Sequence, residues 1–163
     1  MLKKLFYIFI IIPSVMLSQN VVVKGTMSSV NAGYEAAVVY QLNGAKQLYV
    51  NYGNIKEGEF LVEMPETAKP GMYRLIYDFQ QNGYVDFIYN NKNVAFTFDP
   101  TFPSGTTKFI NSEENNLYNT YLLESQKHIQ KLDSLQLNYF NIKNSIDKKI
   151  IEKEYQNTLQ SYN

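Results

Sequence analysis

Between residues 58 and 99 the chain has four segments in which apolar and polar residues alternate, and turn-forming residues separate these segments. A period of two, with β-branched and aromatic residues at the apolar positions, is typical of half-buried β-strands. The prolines, glycines and asparagines between the segments favour loops because their backbones suit turns. The pattern predicts four consecutive strands forming a β-meander, with these apolar positions: Phe60, Val62 and Met64; Tyr73, Leu75, Tyr77 and Phe79; Val85, Phe87 and Tyr89; Val94, Phe96 and Phe98.

Further strand signals precede the meander. Three valines before Lys24 and Gly25 predict a short first strand that ends at the glycine. An Asn-Gly pair at 43–44 separates two alternating runs and predicts a hairpin over residues 35–52 with a type I′ turn. About seven short strands in roughly 80 residues indicate an antiparallel β-sandwich or a partly open barrel. The alternating positions of the hairpin are Ala36, Val38, Tyr40 and Leu42, followed by Leu48, Val50 and Tyr52.

The loop between the second and third meander segments predicts a register. A three-residue loop over 81–83, with Gly83 at positive φ, would pair Gln80 with Tyr84. The apolar residues of the two strands would then share one face, with Tyr77 opposite Phe87.

The same register sets Asp78 opposite Asp86 on the other face. Two carboxylates placed in this way repel each other unless solvent or a cation lies between them. Asp78 and Asp86 are therefore weak candidates for a metal site, and a solvated structural pair is the alternative. Arg74 is the only arginine, and we expect it to form a cross-strand ion pair.

Helix is the expected structure after Gly105, because the remaining 58 residues contain neither glycine nor proline. Asn111 is predicted to cap the first helix, with Glu114 completing a capping box. Apolar residues then recur at intervals of three and four, as in an amphipathic helix. They are Leu117, Tyr118, Tyr121, Leu122, Ile129, Leu132, Leu135, Tyr139, Ile142, Ile146, Ile150 and Leu159.

A single straight helix over residues 112–161 would be about 75 Å long, much longer than the β-domain. The sequence therefore predicts either a long helix whose stripe another chain or domain covers, or a helical hairpin. Asn138, Asn141 and Asn144 mark the expected break, since asparagine has low helix propensity.

Composition and charge exclude several classes of function. Lysine and arginine total 15, as do aspartate and glutamate. No basic face is expected, so nucleic acid is not a predicted partner. The chain has no cysteine, which excludes thiol chemistry in these residues. Its 14 tyrosines favour a half-buried sheet surface, and a glycan-binding face is the alternative.

His128, the only histidine, lies near Ser125 and Asp133 in the helical region. Three such residues on one helix cannot converge as a catalytic triad, which needs side chains from separate elements. We therefore predict no catalytic residue, no cofactor and no enzymatic activity in this chain.

The N-terminus is typical of a signal peptide, and an uncleaved membrane anchor is the alternative. Lys3 and Lys4 precede an apolar run over residues 5–12, which ends at Pro13 and is followed by small residues. We expect an exported protein, located in the periplasm, at the outer membrane or outside the cell, with membrane contact only through this leader. The predicted organisation is a signal peptide at 1–18, an antiparallel β-domain at 19–110 and a helical extension at 111–163.

Several short motifs resemble the N-terminal region of secreted thioredoxin-like thiol-disulfide oxidoreductases of Gram-negative bacteria. These are Lys24-Gly25, Lys56-Glu57-Gly58-Glu59-Phe60, Tyr84-Val85-Asp86-Phe87-Ile88-Tyr89-Asn90 and Asn111-Ser112-Glu113-Glu114-Asn115. The resemblance implies a β-domain and a helical spacer before a thioredoxin domain with a Cys-x-x-Cys pair. That domain is not in this sequence, so we expect a truncated copy or a fragment of a longer protein.

Three functions follow as hypotheses. The first is an extracytoplasmic, non-catalytic interaction or spacer domain, whose partner is a protein or a second copy bound through the helical arm. The second is the N-terminal part of a thiol-disulfide oxidoreductase whose catalytic domain lies outside this sequence. The third is a glycan-binding β-domain.

Overall fold

The computed structural model describes residues 20–29 and 33–162, so the predicted signal peptide lies outside the described residues. The chain forms strands first and then two long helices, as the sequence predicts. The elements are β1 (Val22–Met27), β2 (Ala36–Asn43), β3 (Lys46–Asn54), β4 (Glu59–Glu63), β5 (Gly71–Asp78), β6 (Gly83–Tyr89), β7 (Val94–Phe98), α1 (Pro103–Thr106), β8 (Lys108–Ile110), α2 (Glu113–Asn141) and α3 (Ser145–Tyr162).

The strands form two four-stranded sheets that pack as a sandwich and do not close into a barrel. One sheet has the order β4-β1-β7-β8 and the other β3-β2-β5-β6. The predicted sandwich is confirmed. The β-meander is wrong, because among its four segments only β5 and β6 are neighbours, whereas β4 and β7 both pair with β1. Alternation identifies a strand but not its partner, and here the chain changes sheet after β4 and again after β6.

β1 departs from the expected pattern in two ways. It continues through Gly25 to Met27 instead of ending at the glycine. It also pairs in parallel with β7, the one parallel pair among the described strands. A Cβ on Gly25 would lie 2.2 Å from the ring of Phe60 on β4, so the glycine makes room for that ring.

Aromatic side chains from both sheets fill the space between them. Phe96 is almost fully buried. Its ring centroid lies 6.0 Å from that of Phe60, 6.3 Å from that of Phe87 and 5.3 Å from that of Phe109. The hydroxyl of Tyr77 donates a 2.8 Å hydrogen bond to the carbonyl of Pro100. The polar tip of this core tyrosine is therefore satisfied.

The β2–β3 hairpin is confirmed, but its turn differs from the expected one. Asn43 pairs with Lys46, so the two loop residues are Gly44 and Ala45. Only Gly44 has positive φ, at 59°, which is the arrangement of a type II′ turn and not of type I′. Asn43 is thus the last residue of the strand and not part of the turn.

The alternating apolar residues of β2 lie on the outer face of their sheet. Ala37 and Val39 are fully buried in the core, whereas Val38 and Tyr40 are partly exposed. Both faces of β2 are apolar, so the more obvious alternation was not the buried one. The sandwich therefore carries an apolar outer surface on this sheet.

The predicted register of the β5–β6 hairpin is wrong. Leu75 pairs with Val85 and Tyr73 with Phe87, while Tyr77 occupies an irregular position in the ladder. A loop over residues 79–82 replaces the expected three-residue loop, and Asn82 has positive φ in place of Gly83. The apolar face is preserved because the shift is even.

Phe79, which the alternation assigned to this apolar face, lies in the loop and is exposed. Asp78 accepts hydrogen bonds from the N–H groups of Gln80 and Gln81. An aspartate bonding two residues onward stabilises a turn, which explains why the strand ends one residue earlier than the hydrophobic pattern suggests.

The two long helices form an antiparallel hairpin, and the predicted break is confirmed. α2 ends at Asn141 and α3 begins at Ser145, with Ile142 in an extended conformation between them. An ion pair of 3.2 Å joins Lys131 on α2 to Glu154 on α3. Among the described residues, no helix is both long and apolar enough to cross a membrane.

The predicted capping box is wrong. Ser112 occupies the N-cap position and Asn111 has a left-handed φ of 55°. Glu114 does not fold back on the helix end; it accepts a hydrogen bond from the side chain of Asn90. A contact with the β6–β7 loop has replaced the local cap.

Candidate functional site

Asp78 and Asp86, the two candidates for a cation site, are not brought together across the hairpin. Asp78 pairs with Gly83, and Asp86 pairs with Arg74. Asp86 accepts two hydrogen bonds from the guanidinium, at 2.6 and 2.8 Å. The expected cross-strand ion pair of Arg74 is confirmed, and the carboxylate pair that motivated the cation site is wrong. No group of three metal-ligating side chains occurs in the part of the chain that the structure describes.

Arg74 and Asp86 belong to a small cluster with Tyr84. The guanidinium carbon lies 3.7 Å from the centre of the Tyr84 ring, a cation–π contact. The hydrogen bond to Asp86 raises the pKa of Arg74. Because the carboxylate and the guanidinium neutralise each other, this part of the sheet carries no net charge.

His128 occupies an ordinary helical position. Its Nδ1 lies 2.9 Å from the carbonyl oxygen of Glu124, one turn earlier on α2. Ser125 and Asp133 lie on the same helix, so the geometry that a triad requires is not available to these three residues.

Three asparagines in the first turns of α2 attach the helix to the sandwich, and sequence reasoning missed them. We call Asn115, Asn116 and Asn119 the asparagine clasp. Asn115 accepts from the Ile88 N–H at 2.6 Å and donates to the Ile88 carbonyl at 2.8 Å. Asn116 donates to the Phe109 carbonyl and Asn119 to that of Thr107.

The asparagine clasp covers exposed strand edges. Ile88 is on β6 and Phe109 on β8, the edge strands on one side of the sandwich. The side-chain amide of Asn115 supplies both the donor and the acceptor that a neighbouring strand would supply. The run Glu-Glu-Asn-Asn-Leu-Tyr-Asn could have indicated these contacts. Asparagine is a poor helix former, so three asparagines at the start of one helix point to tertiary contacts.

A groove lies beside the same edge, and we call it the edge groove. Its volume is about 430 Å³, within the range of ligand sites. β6 contributes Tyr84 and Asp86 to one wall and α2 contributes Tyr118 and Leu122 to the other, while Pro103 on α1 lies at its border. Burial, followed by the nearby Asp86 carboxylate, raises the pKa of Tyr118.

The outer face of the β3-β2-β5-β6 sheet carries exposed tyrosines. Tyr49 and Tyr52 on β3 are 60% and 57% exposed. The rings of Tyr40 and Tyr49 meet at 78°, so they do not form the flat row of rings that would stack on a sugar chain. Glycan binding at this face stays a prediction.

The helical hairpin leaves six of the twelve residues of the predicted apolar stripe exposed, together with Leu137 and Phe140, which are not part of that stripe. Leu135 is its one buried apolar residue among the described side chains. Leu135 and Tyr139 on α2 face Ile151 and Tyr155 on α3 across a small cleft of about 200 Å³. The exposed members of the hairpin are Leu117, Tyr121, Leu122, Ile129, Leu137, Phe140, Ile146 and Ile150.

Comparisons of the sequence with protein-family models and with curated proteins gave no match.

Proposed function

We propose that the protein is an extracytoplasmic, non-catalytic interaction module, in which the sandwich presents the helical hairpin as a docking surface. The partner is a protein, and a second copy of this chain is the simplest one. The N-terminal sequence pattern supports the extracytoplasmic location. The sequence has no cysteine, so these residues cannot catalyse thiol–disulfide exchange, which supports the non-catalytic part of the proposal.

The exposed apolar side chains of the hairpin are the observation that carries this proposal. Leu137 is 64% exposed, Phe140 70%, and Ile146 68%. Eight large apolar side chains of the hairpin are exposed, and exposed apolar surface beyond single scattered residues marks contact sites on proteins. The asparagine clasp holds the start of α2 on the sandwich, so the hairpin is presented at a defined place.

Self-association through the hairpin can be measured by light scattering over a range of protein concentrations. We expect a species heavier than the 18.9 kDa chain that returns to a monomer in Phe140→Glu. Leu61→Glu is the matched control, because Leu61 is also exposed but lies on β4 of the sandwich. A wild-type monomer at every concentration, with α3 amides strongly protected from hydrogen exchange, would contradict the proposal.

The oxidoreductase hypothesis places its chemistry in a domain outside this sequence. This chain alone should not reduce insulin disulfides above the buffer rate, because it has no thiolate to attack them. Turnover by the purified chain would overturn the non-catalytic proposal.

A further inference from the structure

The free edge of β6 suggests a second binding surface near the start of α2, which shares Tyr118 and Leu122 with the apolar stripe of the helical hairpin. In an antiparallel strand, the backbone N–H and C=O of one residue point to the same side, and those of the next residue point to the other side. The backbone N–H and C=O of Ile88 point away from β5, because both bond to the side chain of Asn115. Asp86 and Tyr84 share its parity, so their backbone groups point the same way, into the edge groove.

These outward groups have no protein partner among the described residues. β6 pairs only with β5, and no other backbone or side-chain hydrogen bond reaches the N–H or C=O of Tyr84 or Asp86. A strand edge with unpaired groups is a template for another extended segment. The Asn115 amide already fills the next position along this edge, so the groove continues an established line of contacts.

We propose that the edge groove binds a short, uncharged, extended segment of a partner protein, which adds to β6 as an extra strand. Its backbone would pair with Tyr84 and Asp86, and alternate side chains would contact Tyr118 and Leu122 on α2. From Tyr84 to Asp86 the free edge is about 7 Å long at roughly 3.3 Å per residue, so the paired part of the segment has about three residues.

The shape and charge of the groove select this occupant. α2 lies beside the same edge, with Tyr118, Leu122 and Gln126 lining the groove. With α2 in this place a second sandwich could not align its sheet with β6, whereas the groove volume of about 430 Å³ suits a single short segment. Asp86 is the one charged residue in the lining, and Arg74 neutralises it. An uncharged segment is therefore the complementary one.

The test uses a library of random heptapeptides displayed on phage and selected against the whole protein. Tyr84→Pro removes the outward N–H of Tyr84 without removing a ladder hydrogen bond, since proline is tolerated where a strand's N–H faces outward. Tyr84→Ala is the matched control, because it loses the same ring and keeps the N–H. We expect selected peptides to bind the wild type and Tyr84→Ala at least ten times more tightly than Tyr84→Pro.

A second arm acts on the peptide and leaves the protein unchanged. A selected peptide is synthesised in two versions, with N-methyl groups at the odd-numbered or at the even-numbered backbone nitrogens (the two methylation phases). One of the two versions should bind at least tenfold more weakly than the unmethylated peptide. That result supports strand addition even if Tyr84→Pro does not fold. Selection of no binding peptide, equal binding in both methylation phases, or equal binding by a folded Tyr84→Pro would overturn the proposal.

Discussion

The sandwich and the helical hairpin hold their shapes by different means. In the sandwich, eight strands enclose a core in which Phe87, Phe96 and Phe98 are all at most 1% exposed. In the hairpin, Leu135 is buried while Phe140 and Ile150 point to solvent. Burial of apolar area is the main source of folding free energy. The sandwich therefore has its own source of stability. The hairpin depends on the attachment of α2 to the sandwich and on a partner that covers its exposed apolar residues.

The largest expected effect comes from comparing one phenylalanine in each region. Phe96→Ala removes a ring that contacts Phe60, Phe87 and Phe109 and should lower the free energy of unfolding by about 3–5 kcal/mol. Phe140→Ala, on the exposed face of α2, should change it by no more than about 0.5 kcal/mol. Urea unfolding followed by circular dichroism measures both. Similar losses in the two variants would mean that the hairpin has a core of its own.

The second effect concerns the asparagine clasp, which joins the two regions. Asn115→Ala leaves both backbone groups of Ile88 unpaired beneath the helix, at a cost of about 1–3 kcal/mol. Amides in the first turns of α2 should then exchange faster. Asn116→Ala is the control, since Asn116 is exposed and makes one long bond of 3.3 Å to the Phe109 carbonyl. Equal effects of the two substitutions would show that α2 is held in place by other contacts.

The sequence predicted the positions of the strands better than it predicted which strands pair with each other. The four segments of residues 58–99 are strands because alternation follows from burial of one face. Their partners depend on contacts between distant residues, such as Gly25 with Phe60, which no local pattern contains. The β5–β6 register failed because Asp78 forms a turn at a position where Phe79 continues the apolar alternation.

The same distinction applies to the candidate sites. The ion pair of Arg74 could be predicted because it needs only one arginine and a facing carboxylate on adjacent strands. The edge groove could not, because it requires α2 to lie beside β6, and the asparagines that bring it there resemble weak helix formers. The strand β8 was also missed, since three residues are too few to show a period.

The smallest expected effect is a pH dependence confined to the sandwich. Burial raises the pKa of Tyr77 well above its ordinary value of 10.0. Above about pH 10, the unfolded chain loses this proton and the folded chain keeps it, so the free energy of unfolding falls as pH rises. Tyr77→Phe should flatten this fall, and at neutral pH it should cost about 1 kcal/mol through the lost bond to Pro100. Denaturant titrations from pH 7 to pH 11 measure both effects, and an unchanged slope in the variant would contradict the assignment.

Hydrogen exchange along the whole chain, measured on dilute protein, tests the difference between the two regions most directly. We expect amides of β5 and β7 to exchange only through global unfolding, whereas those of α3 and the second half of α2 exchange through local opening and gain protection as the concentration rises. Protection of α3 equal to that of β5 in a dilute monomer would contradict the account, because the hairpin would then be stable without a cover.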